Sequence, residues 1–453
     1  MNRTHRFIWS AAALTGIVVA SARPLPPEQG TTGAKKLALV GGMLLTGYET
    51  PPIHHAAVLI SGNRIVAAGP ASDITVPADA TLIDTSGRTM MPGLIEAHAH
   101  LVILGHGDYP RWFAWIDQQG RDRTLPRVME ISAKQLLMAG VTTAVDLGAP
   151  LAESLSIRDR IAKNEIPGPR MLMSGPWLTR TPAIFPADYQ IKVTTPEQAG
   201  AEVERLAAAG VNTIKAHAGL TLEDYKAIVA AAHRRNLRVH AHVYAEADVR
   251  HALEAGVDVL QHAGSAGTAP PYSAELIRDI VNAGRPVVVT AAHRSWIYPD
   301  TAAFPERLQF PQLKKDLPAD MYAEVQDSLK NWPALSYFAR TDREMFFRER
   351  GIKQFIESGA VMGMGTDNGT PMNFHADALW REIKVHVDMG MTPSRAIGAA
   401  TRVNASIIGK GAEVGTIEPG KLADIIVVDG DPLFDIVSLS RVEVVVKDGV
   451  RYK

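Results

Sequence analysis

The chain has 453 residues, 46% of them hydrophobic and 21% charged, with a formal net charge of −1. Such a chain can build a large core and more than one domain, and it carries no basic excess for nucleic acid or an anionic membrane surface. Cysteine is absent, which excludes disulfides, thiolate metal ligands and a cysteine nucleophile.

Arg3 and Arg6 precede an apolar run from Phe7 to Ala20, which closes on Ala20-Ser21-Ala22 ahead of Pro24, Pro26 and Pro27. The run is short for a membrane span, and its small-x-small ending predicts a signal peptide over 1–22, cut near Ala22. An exported protein, periplasmic or extracellular, is expected. A lipid anchor on a mature N-terminal cysteine is excluded.

Residues 35–91 read as short strands joined by tight turns, with Ser61-Gly62-Asn63-Arg64 as a hairpin connection. Residues 412–453 have the same texture in GTIEPGKLADIIVVDGDPL and RVEVVVKDGVRYK. One small β-domain assembled from both chain ends is expected.

Between them, 92–411 alternates apolar strands with amphipathic helices. The strand candidates are MPGLIEAHAH, TTAVDLG, PRMLMSG, NTIKAHA, RVHAHV, DVLQHAG, PVVVTAAH and VMGMGTDNG. Repeated βα units predict a parallel sheet, and this number of them a closed (β/α)8 barrel with its chemistry at the C-terminal strand ends. Two insertions interrupt the rhythm. One, 102–128, carries Trp112, Phe113 and Trp115; the other, 294–350, carries Trp296, Tyr298, Phe304, Phe310, Trp332, Tyr337 and Phe338. Each follows a strand, so each is expected to hang over the active face.

Polar residues gather at those strand ends. His98 and His100 lie two apart, so on a strand both face one point, as half a metal site. Lys215 sits in an apolar strand, where a protonated amine is costly to bury. Pairing with a carboxylate is one resolution. Another is loss of the proton and uptake of carbon dioxide, giving a carbamate with two oxygens able to bridge two metals. His240 and His242 share RVHAHV, His262 ends DVLQHAG, and Asp367 lies beside glycines that allow close backbone approach.

These motifs resemble the amidohydrolase superfamily, in the branch of imidazolonepropionase-like proteins, Xaa-Pro dipeptidases and ochratoxinase-type amidases. MPGLIEAHAH, AGVTTAVDLG, GVDVLQHAG and GTDNGTP resemble its first, second, sixth and eighth strands. GMTPSRAIGAATRVNASIIG and GTIEPGKLADIIVVDGDPL resemble its tail. The resemblance implies an α/β fold, a TIM-type barrel with a small β-sandwich, and two divalent metals, zinc being the usual one. It implies that His98, His100 and Asp367 hold one metal and that carbamylated Lys215 bridges both. His262 and His242 would hold the second, with His240 the alternative to His242. Asp367 would also be the general acid–base, and Tyr244, His217 and His240 are candidate substrate contacts.

The implied reaction is hydrolysis of a small-molecule amide by water activated between the metals. The substrate would be a dipeptide or N-acyl amino acid, Xaa-Pro and aromatic amides included. WLTRTPAIFPADYQIKV and the 294–350 insertion depart from the family pattern, so no relative's substrate is carried over. A rival reading keeps the fold but leaves Lys215 unmodified, in a mononuclear enzyme that opens a cyclic amide or deaminates a ring. A non-catalytic binding protein would be expected to lose ligands, whereas each position here is filled. Homo-oligomerisation is compatible with the sequence; nucleic acid and a membrane anchor are not expected.

Overall fold

The computed structural model describes residues 35–453 apart from 265–270, 310, 336, 339 and 340. The expected signal peptide and Phe310 lie outside the described residues.

The eight apolar runs become eight parallel strands: Leu94–Ala99, Val141–Asp146, Arg170–Met173, Thr213–Ala216, Arg238–His242, Val259–Gln261, Val287–Val288 and Met362–Gly363. They read as continuous apolar runs because both faces of such strands are covered, as in Val141–Asp146, buried at every position. Strands one to three form one arc and strands four to eight another. Ala97 N donates to Met364 O (3.1 Å), and Ala99 bridges Asn368, so strand eight returns to strand one. At the other seam Asn212 N donates to Met173 O (2.8 Å). The closed ring is a (β/α)8 barrel.

The helices between the strands follow from caps and periodicity. Pro196–Ala209 starts on Thr195, whose hydroxyl accepts from Gln198 N, and stops at Gly210 with φ 94°. It buries Ala199, Val203 and Leu206, one stripe of an α-helix. Leu222–Arg234 starts on a Thr221–Asp224 capping box and buries Tyr225, Ile228, Val229 and Ala232.

Strands from both chain ends build two sheets. One orders Arg64–Pro70, Ala56–Ser61, Lys36–Val40 and Thr81–Asp84; the other orders Val450–Arg451, Val442–Lys447, Ile425–Asp429, Arg88–Pro92 and Met43–Leu44. Ser61 pairs with Arg64 across the hairpin. Leu39, Val58 and Ile60 from one sheet and Met90, Val427 and Val444 from the other share a single apolar cluster. Arg88–Pro92 then runs straight into the first barrel strand through Gly93. A Cβ on Gly93 would meet Thr142 Oγ1 at 2.2 Å, so only glycine lets the chain cross strand two there.

The insertions are partly helical. Tyr109–Gln118 and Arg121–Met138 follow strand one. Trp112 is buried, donates from Nε1 to Val102 O (2.9 Å) and stacks on Trp115. The two insertions are latched together. Glu324 Oε1 accepts from Arg111 Nε (2.7 Å) and lies 3.2 Å from His106 Nε2, and Gly107 N donates to Ser328 Oγ (3.0 Å). Among the described residues no helix is long and apolar enough to cross a membrane.

Candidate active site

Closure of the barrel sets the first contact. Asp367 N donates to His98 O (2.9 Å), which pins the end of strand eight against the end of strand one. Asp367 Oδ1 then lies 3.1 Å from His100 Nε2 and 3.6 Å from His98 Nε2. Below them Glu96 accepts from His98 N and Thr366 N (both 2.9 Å), from Thr366 Oγ1 (2.8 Å) and from Asn368 Nδ2 (3.2 Å). This buried carboxylate staples strands one and eight directly beneath the cluster.

Which nitrogen of His98 is available follows from Gln261. The Gln261 amide nitrogen faces Ala97 O (3.3 Å), a pure acceptor, and His240 Nδ1 (2.9 Å). Its Oε1 therefore faces His98 Nδ1 (2.8 Å), which must carry the hydrogen. His98 Nε2 is left with its lone pair turned toward Asp367, as a metal-binding imidazole requires. Lys215 Nζ lies 3.3 Å from that same Nε2. Among the described residues no carboxylate lies within ion-pairing distance of Lys215, so the salt-bridged alternative is not what holds it.

The remaining histidines surround this core. His262 lies 4.5 Å, ring to ring, from both His98 and His242, and His242 lies 4.1 Å from His217 and 4.7 Å from Tyr244. His98, His100, Lys215, His217, His242, Tyr244, His262 and Asp367 all line one cavity of about 140 Å³ at the C-terminal strand ends. His240 does not. It borders a separate cavity with Val145, Leu172, Arg238 and Ile408, and its Nδ1 accepts from Gln261. Two residues lower on the strand, it supports the site through Gln261 rather than reaching it.

Three residues at successive strand ends hold left-handed backbone: His262 (φ 65°), Thr290 (φ 50°) and Asp367 (φ 56°). None is glycine, and each such residue costs on the order of 1–3 kcal/mol. The turns aim side chains inward. His262 Nδ1 meets Thr290 Oγ1 at 2.8 Å. His293 Nδ1 donates to Thr290 O (2.7 Å), which leaves its Nε2 3.6 Å from Asp367 Oδ2.

The electrostatics favour cation binding. Burial drives His98, His242 and His262 well below the ordinary imidazole range and pushes His217 down to about 3, so these rings are neutral. Burial also pushes Lys215 down to about 7. Burial alone would raise Asp367, but the hydrogen bond from His100 holds its carboxyl well below the usual range. Neutral imidazoles gathered around one ionised carboxylate form a donor set that fits a divalent ion. His98, His100 and Asp367 each offer a ligand atom within 4.8 Å of the others.

Sequence reasoning missed Gln261, Glu96 and His293. His293 ends the seventh apolar run as His262 ends the sixth, so the same signal was there to read. The insertion aromatics divide: Tyr337 lines the cavity with Tyr109, Trp177 and Phe185, while Trp112 and Phe113 pack inward.

The amidohydrolase family pattern matches residues 89–451. A 5-methylthioadenosine/S-adenosylhomocysteine deaminase of Symbiobacterium thermophilum is 23% identical over 88% of this chain and 86% of its own. A candidate prolidase from Bifidobacterium longum superposes with a TM-score of 0.70 at 29% identity, covering 92% of this chain and 95% of its own. A. niger ochratoxinase superposes with a TM-score of 0.71 at 23% identity, covering 93% and 96%. The chain belongs to the amidohydrolase family, whose members generally bind metal ions, and it is a hydrolase acting on C–N bonds.

Proposed function

We propose that the protein is an exported, metal-dependent amidohydrolase that cleaves the amide bond of a dipeptide or N-acyl amino acid. The observation that carries this reading is the meeting of His98 Nε2, His100 Nε2, Asp367 Oδ1 and Lys215 Nζ at the bottom of one cavity. His98, His100 and Asp367 would hold one ion, His242 and His262 the other, and Lys215 would lie between them as a carbamate. Its neutral amine adds to carbon dioxide through nitrogen and releases one proton to solvent.

Divalent ions in that donor set, zinc being the expected one, would acidify a water and polarise the carbonyl. Asp367 takes the proton from the attacking water. His293, fixed on Thr290 O, presents a lone pair 3.6 Å from Asp367 Oδ2 and steadies that proton until it passes to the leaving nitrogen. Tyr244 and His217 border the same space and are placed to contact the substrate. The relation to a candidate prolidase at 29% identity supports an amide of amino-acid type.

The test is amine release from a panel of N-acyl amino acids and dipeptides, with metal content determined and chelator added and removed. Chelator-resistant turnover would overturn the reading. A mononuclear deaminase is the second reading, favoured by the deaminase related over 88% of the chain. Ammonia release from a purine nucleoside at one ion per chain would select it. Export is tested by sequencing the native N-terminus, expected near Arg23.

A further inference from the structure

Four aromatic rings from three separate segments of the chain meet above the cluster of histidines. Tyr109 opens the helix after strand one, Trp177 and Phe185 lie between strands three and four, and Tyr337 belongs to the insertion after strand seven. Ring centroids are 5.2 Å apart for Trp177–Phe185, 5.0 Å for Tyr109–Phe185 and 6.2 Å for Tyr109–Tyr337. The chain of rings is anchored at both ends to the site. Trp177 stacks on His217 at 4.9 Å, and Tyr337 lies 6.1 Å from His293. A Cβ on Gly148 would meet the Trp177 ring at 2.4 Å, so glycine there lets the indole lie flat on the backbone at the end of strand two.

All four rings line the cavity, whose volume is about 140 Å³. The same cavity takes in His98, His100, Lys215 and Asp367, so an amide bond over those groups would lie directly beside the aromatic wall. Rings at these separations present both faces and edges, and an aromatic guest gains from them beyond the area it buries. An alkyl guest of equal size gains only the burial.

We infer that the site takes an amide carrying one uncharged aromatic ring, seated among Tyr109, Trp177, Phe185 and Tyr337 beside the scissile bond. This rests on the amide-hydrolase reading above and names its substrate class. Trp177 and Tyr337 are the specificity-determining residues, one from each side of the mouth.

The experiment compares matched pairs on the metal-loaded enzyme: phenylacetylglycine against hexanoylglycine, and N-acetylphenylalanine against N-acetylnorleucine. The aryl member of at least one pair should have kcat/KM about tenfold higher, the size expected of one or two ring contacts. Trp177→Leu and Tyr337→Leu should each bring that ratio toward one, mainly through KM. Should Trp177→Leu fail to fold, Tyr337→Leu carries the test. Alkyl amides cleaved as well as aryl ones, or variants that slow both alike, would overturn the inference and leave amide hydrolysis standing. If no amide is cleaved, the functional reading fails, and the ring site is judged by calorimetry with phenylacetohydroxamate and hexanohydroxamate. About tenfold tighter binding of the aryl compound supports it; equal affinity overturns it.

Discussion

Gln261 Oε1 accepts a hydrogen bond from His98 Nδ1 at 2.8 Å, and that contact decides which nitrogen of His98 faces the cavity. Replacing Gln261 with leucine removes the acceptor and frees the ring to flip. Loss of such a partner behind a ligating histidine typically weakens metal binding about 10- to 100-fold. Competition with a chelator on Gln261→Leu measures it, and affinity equal to wild type would show that His98 is oriented by packing alone.

Asp367→Asn keeps the size of the side chain and the backbone turn but removes the proton acceptor of the proposed mechanism. The rate should fall about 10²- to 10⁴-fold, with substrate binding retained. The readouts are kcat and metal content measured side by side. A variant within a few-fold of wild type would move the acid–base role elsewhere.

Lys215→Ala should lose bound metal and most activity, because nothing else at that strand end supplies a bridging anion. Short carboxylic acids added to the variant should restore part of the rate by occupying the same space. Full metal content without them would favour the mononuclear reading.

Lys215 also sets a pH dependence in the metal-free protein. Burial lowers its pKa from 10.5 to about 7, so between those values the unfolded chain holds a proton that the folded chain does not. Stability from this group is therefore full above 10.5 and is lost as pH falls toward 7, a difference on the order of 4 kcal/mol. Urea midpoints of wild type and Lys215→Met, followed from pH 7 to 10, should rise more steeply with pH in the wild type than in the variant.

Glu324 ties the two insertions together through Arg111 and His106. Glu324→Ala should raise KM several-fold while lowering Tm by no more than about 3 °C, since a partly exposed ion pair contributes little to global stability. A large fall in Tm with KM unchanged would make the latch a purely structural tie.

The barrel was legible because its strands, covered on both faces, are uninterrupted apolar runs, and His98, His100, His262 and Asp367 break those runs only at their ends. Period-two spacing could not separate His240 from His242, since both face the barrel interior; depth separates them, and Gln261 fills the space beside His240. Gln261 itself was opaque, because its partner His98 stands across the barrel and far away in the chain. His293 depends on the left-handed turn at Thr290 and on Glu382, which accepts from Ala291 N (2.9 Å) and Ala292 N (2.7 Å). The position of His293 at the end of an apolar run was legible, whereas these two features, which aim its ring, have no local sequence signature. Trp112 and Phe113 were expected at the mouth, but composition does not tell which side of an amphipathic helix meets the barrel.

The pairing of Thr89 with Val428 and of Met91 with Ile426 has a consequence for biosynthesis. The strand leading into His98 and His100 emerges early from the ribosome, and its neighbour emerges only after nearly the whole barrel has been made. Until then Arg88–Pro92 is an open, apolar edge, the kind that recruits other chains. Folding to the native state is therefore committed late and through contacts of long sequence separation, which makes it slow. Nascent chains stalled before Ile425 should need a chaperone to stay dispersed.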